Sequence, residues 1–146
     1  MSSFENILLI KIAYSVFCGF LVGFERQWHR KPIDIRTSIL ICLGTMAFIY
    51  LGEEALGGTK DSTRVLGQVV TGIGFLGAGV IMTRQGAVQG MTSASVVWVL
   101  ASIGAAIGFG RYQMAITLSL VTLFVLTLFQ FVEDWTTKLL NRTKSL

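Results

Sequence analysis

Residues 65–82 read VLGQVVTGIGFLGAGVIM, an apolar run that contains five glycines and no charged side chain. A helix of about 20 apolar residues is long enough to cross the hydrocarbon core of a bilayer. From residue 65 to residue 132 the only charged side chains are those of Arg84 and Arg111. This stretch and its surroundings therefore predict helices that lie within a membrane.

The composition of the whole chain indicates the same environment. Of 146 residues, 53% are hydrophobic and only 14% are charged, and the mean hydropathy is +0.69. Such values are typical of a membrane protein, and we expect the lipid bilayer to be its main partner. The net charge of +4 does not indicate nucleic acid binding, because the basic residues stand in short gaps between apolar runs.

Five apolar runs approach the length of a transmembrane helix. We predict an all-α membrane protein, a single domain over residues 1–146, built as a bundle of about five short transmembrane helices with glycine-rich helix packing. The spans are expected at about residues 7–24, 37–51, 65–82, 93–109 and 114–132. We expect no soluble domain after the last span.

Basic residues predict how the spans are oriented, because they concentrate on the cytoplasmic side of a membrane. Five spans place the two termini on opposite sides. Eight basic residues then share one side, against Lys60, Arg64 and Arg111 on the other. This distribution predicts an outside N-terminus and a cytoplasmic C-terminus. The eight are Arg26, Arg30, Lys31, Arg36, Arg84, Lys138, Arg142 and Lys144.

Glycine spacing predicts where helices pack closely, since small residues let helix backbones approach in lipid. The third span is the richest, and with the fourth span it is expected to form the tightly packed centre through Gly72, Gly74, Gly77 and Gly79. GxxxG pairs occur at Gly19 and Gly23 and at Gly104 and Gly108. They favour a homodimer or small homo-oligomer. Residues 72–77 match the GxGxxG nucleotide fingerprint by letter, but no strand precedes them and no acid follows at the required distance.

A polar stripe enters the third span. Asp61, Arg64, Gln68 and Thr71 fall on one side of a helix and are expected on the outer side of the membrane. Polar groups carried into lipid normally face the bundle interior or a water-filled cavity. The alternative, a cap at Asp61 and an interfacial Arg64, explains only two of the four. A weaker stripe in the fourth span consists of Thr92, Ser95 and Ser102.

A second polar cluster lies between the first two spans and is expected at the cytoplasmic face. Its candidate functional residues are Glu25, Arg26, Arg36 and Thr37. Glu25 and Asp34 could share a magnesium ion, since Mg²⁺ often takes one or two carboxylates and keeps its waters. Basic neighbours favour salt bridges or contacts with anionic lipid headgroups instead. Mg²⁺ is therefore the one candidate ligand, and no metal site or other cofactor is assigned.

No catalytic arrangement is present in the sequence. It contains one histidine, no GxSxG or HExxH motif, and no pair of acids inside the apolar runs. We therefore predict that the protein is not an enzyme.

Several blocks occur in the order seen in a known family. They are Gly23-Phe24-Glu25-Arg26, Arg36-Thr37, Asp61-Ser62-Thr63-Arg64, the glycine block of residues 68–79, Gly90-Met91-Thr92-Ser93-Ala94, and Trp98. Over roughly residues 8–132 the chain resembles the MgtC/SapB family of bacterial inner-membrane proteins. It departs from the family pattern at Ile33-Asp34-Ile35 and at Ser38.

The resemblance implies a bacterial inner-membrane protein linked to magnesium homeostasis and virulence. It would act by regulating another membrane protein or by magnesium-related transport. Two alternatives stay open. One is a genuine ion transporter or channel with a polar path between the third and fourth helices, although the predicted spans contain no carboxylate to meet a divalent cation. The other is an oligomeric membrane scaffold without a ligand.

Overall fold

The computed structural model describes residues 3–55, 62–84 and 87–143, and helices make up nearly all of them. Five helices follow one another along the chain, as predicted. Four are long and apolar enough to cross a membrane, and the apolar part of the third, Arg64–Val80, is shorter. The all-α membrane bundle is therefore confirmed. The helices are α1 (Ser3–Trp28), α2 (Ile35–Ala55), α3 (Ser62–Val80), α4 (Met91–Gly108) and α5 (Tyr112–Thr143).

The helices extend beyond the predicted spans at several ends. Helix α1 continues four residues past Phe24, so Glu25 and Arg26 are helical and not part of a loop. Their side chains are buried, and a charged helical residue can continue a span when it is buried against protein. Helix α1 therefore carries a buried carboxylate directly after the predicted end of the first span.

A short β-hairpin lies between the third and fourth helices. Strands β1 (Met82–Arg84) and β2 (Ala87–Gln89) pair antiparallel, with Met82 opposite Gln89. Gly90 follows with a φ of 90° and is the N-cap residue of α4. A side chain there would collide with the carbonyl of Val80. We call this end of the bundle, where α1 and α3 finish and α2 and α4 begin, the hairpin end.

Helix α4 forms the centre of the bundle. It contacts α1, α2, α3 and α5, and most of its side chains are buried, with Leu100, Ile103 and Ile107 wholly inaccessible. Helix α3 packs mainly against α4 and, less extensively, against α2. The prediction of a centre shared by the third and fourth helices is therefore correct for α4 and wrong for α3.

Both GxxxG pairs are used inside the chain. A Cβ atom on Gly104 would lie 2.5 Å from the carbonyl oxygen of Cys42, and one on Gly19 would lie 2.7 Å from the Cα of Ile39. Gly23 and Gly108 meet α2 just as closely. Because α2 already occupies these surfaces, they are not available for the homodimer contact that the spacing suggested.

The glycines of α3 behave differently from the prediction. A Cβ atom added to Gly72, Gly74 or Gly79 would meet no atom within 4 Å, and only Gly77 faces a neighbour, with the carbonyl of Ala94 at 3.6 Å. Gly72, Gly74 and Gly79 therefore pack against no other helix in the part of the chain that the structure describes. Glycine density indicates that a helix can be approached closely, but it does not specify which face is covered.

Lys11 is buried against other helices of the bundle. It is 5% exposed, and its ammonium donates to the carbonyl oxygens of Ile107, at 3.3 Å, and Gly108. The same Nζ atom lies 4.6 Å from the centre of the Tyr50 ring. A cation is favourable beside the last carbonyls of a helix, where the dipole is negative. Lys11 thus joins α1 to the end of α4.

Candidate functional site

The hairpin end holds a buried ionic cluster made by α1 and α4. Arg26 is 2% exposed, and its Nη2 atom donates to Ser93 Oγ at 2.7 Å. Its Nη1 atom lies 3.9 Å from Oε2 of Glu25, too far for a hydrogen bond. The Nε–H group is buried and has no hydrogen-bond partner among the described residues. The guanidinium is therefore held in place by α4 and keeps hydrogen-bonding capacity.

The Glu25 carboxylate is buried beside it, and neither of its oxygens accepts a hydrogen bond from a described residue. Nδ1 of His29 lies 3.1 Å from Oε1, but that nitrogen hydrogen-bonds to the backbone carbonyl of Glu25 at 2.9 Å. A buried carboxylate without hydrogen bonds is costly. Glu25 is thus a counter-charge to Arg26 with unused acceptor capacity.

The other two residues of the predicted cytoplasmic cluster lie elsewhere. Arg36 is exposed, and Thr37 lies in the first turn of α2. The backbone N–H of Thr37 donates to Oδ1 of Asp34 at 2.8 Å, so Asp34 caps α2. This hydrogen bond lowers the pKa of the Asp34 carboxyl below its usual value. Asp34 therefore acts as a helix cap, with its Oδ1 atom already engaged by Thr37.

The stripe of α3 faces outward from the chain. Asp61 lies outside the described residues, and the side chains of Arg64, Gln68 and Thr71 are exposed. The Thr71 hydroxyl donates to the carbonyl of Gly67 in its own helix, at 3.0 Å. The expectation that these groups face the interior of the bundle is therefore wrong within one chain.

An open groove between α2 and α3 brings one member of each predicted cluster to a common surface. It encloses about 570 Å³ and is lined by Thr37 and Gln68 together with apolar and glycine positions that include Phe48, Gly72 and Leu76. The groove is open along its side, so it is a surface cleft and not a channel.

Helices α3 and α4 leave little space between them. The cavity at their contact is about 30 Å³ and is lined by apolar side chains and Ser102. Ser95 and Ser102 donate to carbonyls of their own helix at 3.0 Å. Two of the three hydroxyl groups of the second stripe therefore bond their own helix, as serines in helices commonly do. In the described part of the chain, no three His, Cys, Asp or Glu side chains group as metal ligands.

Comparison with known proteins assigns the chain to a family. The model of the MgtC family matches residues 12–135, most of the sequence. The chain belongs to the MgtC family. No solved structure matches.

Three relatives illustrate this membership of the MgtC family. The chain is 36% identical over 145 residues to a protein named putative magnesium transporter YhiD from Escherichia coli K12, covering 94% of this chain and 65% of the relative. It is 34% identical over 116 residues to Protein MgtC of Salmonella typhimurium LT2, covering 79% of this chain and 49% of the relative. An uncharacterized protein of Haemophilus influenzae is 33% identical over 138 residues, covering 88% of this chain and 58% of the relative. The chain thus spans about half to two thirds of the length of these relatives.

Sequence reasoning about this MgtC-family chain missed two functional-looking side chains. Ser93 was noted only as part of a family-like block, and Lys11 was given no role. Both have partners far away in the sequence, 67 positions for Ser93 and up to 97 for Lys11. The available signal was that each is a polar group inside a span, where a buried partner is expected.

Proposed function

We propose that this MgtC-family chain is a bacterial inner-membrane protein of magnesium homeostasis that binds and regulates another membrane protein. The name of the Escherichia coli relative, a putative magnesium transporter, supports the link to magnesium. The hairpin end faces the cytoplasm in this proposal, with the N-terminus outside. The basic side chains of Arg26, Arg30, Lys31 and Arg36 at or next to that end support the orientation.

The outer face of α3 carries the regulatory part of the proposal. Gly72 and Gly79 leave its backbone open, and Phe75 between them is 83% exposed. Gln68 on the same helix is also exposed. An amide that faces lipid lacks hydrogen-bond partners, whereas a neighbouring helix can supply them. This face therefore fits a transmembrane helix of the regulated protein that carries small residues and a polar side chain opposite Gln68.

The second candidate function is magnesium transport, and the name of the Escherichia coli relative favours it. A hydrated divalent cation needs oxygen ligands or a wet path through the membrane. The cavity of about 30 Å³ between α3 and α4 holds about one water molecule. Transport would therefore require helix movement or a path formed by several chains.

Two measurements on the full chain separate these functions. Magnesium uptake into proteoliposomes tests transport directly. Recovery of membrane proteins with the tagged chain from cells grown in low magnesium tests regulation. Gly72→Leu adds a side chain to the open face of α3, one helical turn after Gln68, and Ala13→Leu adds the same kind of bulk to an exposed position of α1.

The regulatory proposal expects no uptake above that of empty liposomes. It also expects a co-purified partner that Gly72→Leu releases and Ala13→Leu retains, with growth in low magnesium impaired only by the Gly72→Leu variant. Robust uptake that persists without a partner would overturn it in favour of transport. If only a second copy of the chain is recovered, the scaffold alternative replaces it.

A further inference from the structure

A cavity at the hairpin end is lined by positive and hydrogen-bonding groups. It encloses about 710 Å³ between α1, the hairpin, α4 and α5. Its polar lining consists of Arg26, Lys31, Gln89, Thr92, Ser93 and Gln130. Of these, Arg26 and Lys31 are cations, and no described acid lines the cavity. The charge of the lining is therefore suited to an anion.

The first turn of α4 contributes its backbone to the same cavity. Gly90, Met91, Thr92 and Ser93 all line it. The first intrahelical hydrogen bond runs from the N–H of Ala94 to the carbonyl of Gly90, at 2.8 Å, and no side chain caps the helix at Gly90. The N–H groups ahead of Ala94 have no acceptor within the helix, and the dipole makes this end positive. Backbone donors of this kind bind phosphate oxygens.

Arg26 gives independent support for a ligand. A guanidinium held at 2.7 Å from Ser93 Oγ places positive charge against the positive end of a helix, an unfavourable arrangement without an anion. Glu25 offsets part of this charge from 3.9 Å but forms no hydrogen bond with it. Arg26 Nε keeps a buried, unused donor. Ser93 Oγ accepts from Arg26, so its own proton is free to donate.

We infer that this cavity binds a phosphate group, held by Arg26, Lys31 and the first turn of α4. Val125, Leu126 and Phe129 of α5 form an apolar wall beside the polar groups, which suits a phosphate attached to an apolar body. A phospholipid headgroup and a small soluble phosphate share this chemistry. The inference is independent of any role in magnesium homeostasis.

Binding to the purified full chain in a phosphate-free maltoside detergent tests the inference. The lipid probes are dioleoylphosphatidylglycerol and dioleoylglycerol, which have the same tails and differ in the phosphate, with binding measured by native mass spectrometry. The soluble probe is inorganic phosphate, measured by calorimetry. The variants are Arg26→Gln and Lys31→Gln, and Arg36→Gln is the matched control because Arg36 is exposed and does not line the cavity.

We expect Arg26→Gln to weaken phosphate binding about tenfold or more, since it removes charge-assisted hydrogen bonds. Lys31→Gln at the exposed rim should weaken it about threefold, and Arg36→Gln should have no effect. If Arg26→Gln does not fold, the affinities of Lys31→Gln and Thr92→Val for the phosphate probes test the inference in its place. Binding of the phosphate lipid alone identifies a lipid site, and binding of inorganic phosphate as well identifies a general phosphate site.

Two results would overturn the inference. One is equal affinity for the two lipids together with no binding of inorganic phosphate, which would mean that the tails alone occupy the cavity. The other is equal affinity for a phosphate probe in Lys31→Gln and Arg36→Gln, with correctly folded Arg26→Gln also unchanged.

Discussion

Arg26 and Ser93 are 67 positions apart in the chain, yet Nη2 of the first lies 2.7 Å from Oγ of the second. This hydrogen bond joins the end of α1 to the beginning of α4 within the membrane-spanning part of the protein. Because one partner is charged and both are buried, the bond fixes how the two helices are aligned along the membrane normal.

Replacing Ser93 by alanine should lower the free energy of unfolding by about 1.5–3 kcal/mol, the usual value of a hydrogen bond to a charged group. Ser95→Ala is the matched control, since the exposed Ser95 hydroxyl bonds only the carbonyl of Met91 in its own helix. Unfolding by sodium dodecyl sulfate in mixed micelles measures both. Equal stability of the two variants would contradict this role of Ser93.

Lys11→Met should destabilise the bundle by about 1–3 kcal/mol, because the buried carbonyl of Gly108 loses its donor. Methionine keeps most of the volume, so the loss reports the ammonium group and not a cavity. Arg111→Met removes an exposed cation near the same end of α4 and should change little. A midpoint of thermal unfolding that is the same for both variants would show that the contact does not stabilise the fold.

Alanine should have opposite effects at Gly104 and Gly74. At Gly104 the new methyl group meets the carbonyl of Cys42 at 2.5 Å, which forces α2 and α4 apart at a cost of about 1–3 kcal/mol. At Gly74 it meets no atom within 4 Å, and the higher helix propensity of alanine should add about 0.5–1 kcal/mol. Thermal unfolding in detergent distinguishes them, and a more stable Gly104→Ala protein would refute the close contact.

Asp34→Ala should lower the unfolding temperature at neutral pH, because α2 loses its cap. The hydrogen bond from Thr37 lowers the pKa of the folded Asp34 carboxyl, so its charge stabilises the folded protein above the unfolded value of about 3.9. That contribution disappears as the pH falls through the lower folded-state pKa. The difference from the native protein should shrink over this acidic range.

The substitution Asp34→Asn supplies the control, because an asparagine side chain still offers a neutral oxygen to the N–H group of Thr37. The Asp34→Asn protein should therefore lie between the native protein and Asp34→Ala at neutral pH. Its own unfolding should lack the acidic contribution of the Asp34 carboxyl. A difference between Asp34→Ala and the native protein that grows as the pH falls would refute the assignment.

The helices themselves could be predicted because apolar length is a local property. The runs around Val65, Ser93 and Met114 each lie in one continuous stretch, and the bilayer sets how long a span must be. The predicted ends of the helices were less accurate, since Glu25 and Arg26 remain helical and are buried against the protein. Whether a charged residue ends a span depends on partners that the local sequence does not contain.

Helix arrangement could not be predicted from glycine content. The dense glycines of α3, such as Gly72 and Gly74, face open space, while the sparser Gly19 and Gly104 touch α2. Small residues permit close approach on any side, and only the arrangement of all helices decides which side is used. The site at Arg26 could be predicted only in part. The charge of Arg26 marked it as a candidate residue, but its partner Ser93 is distant in sequence and could not be inferred.

The Lys11 contact has a consequence for the order of biosynthesis. The carbonyl that it binds belongs to a residue made 97 positions later, so the first helix enters the membrane long before its partner has been synthesised. Until Gly108 arrives, the ammonium group must stay close to water or a headgroup. Helix α1 can therefore reach its final position only after α4 has been synthesised. The packing of the bundle is completed only after most of the chain has left the ribosome.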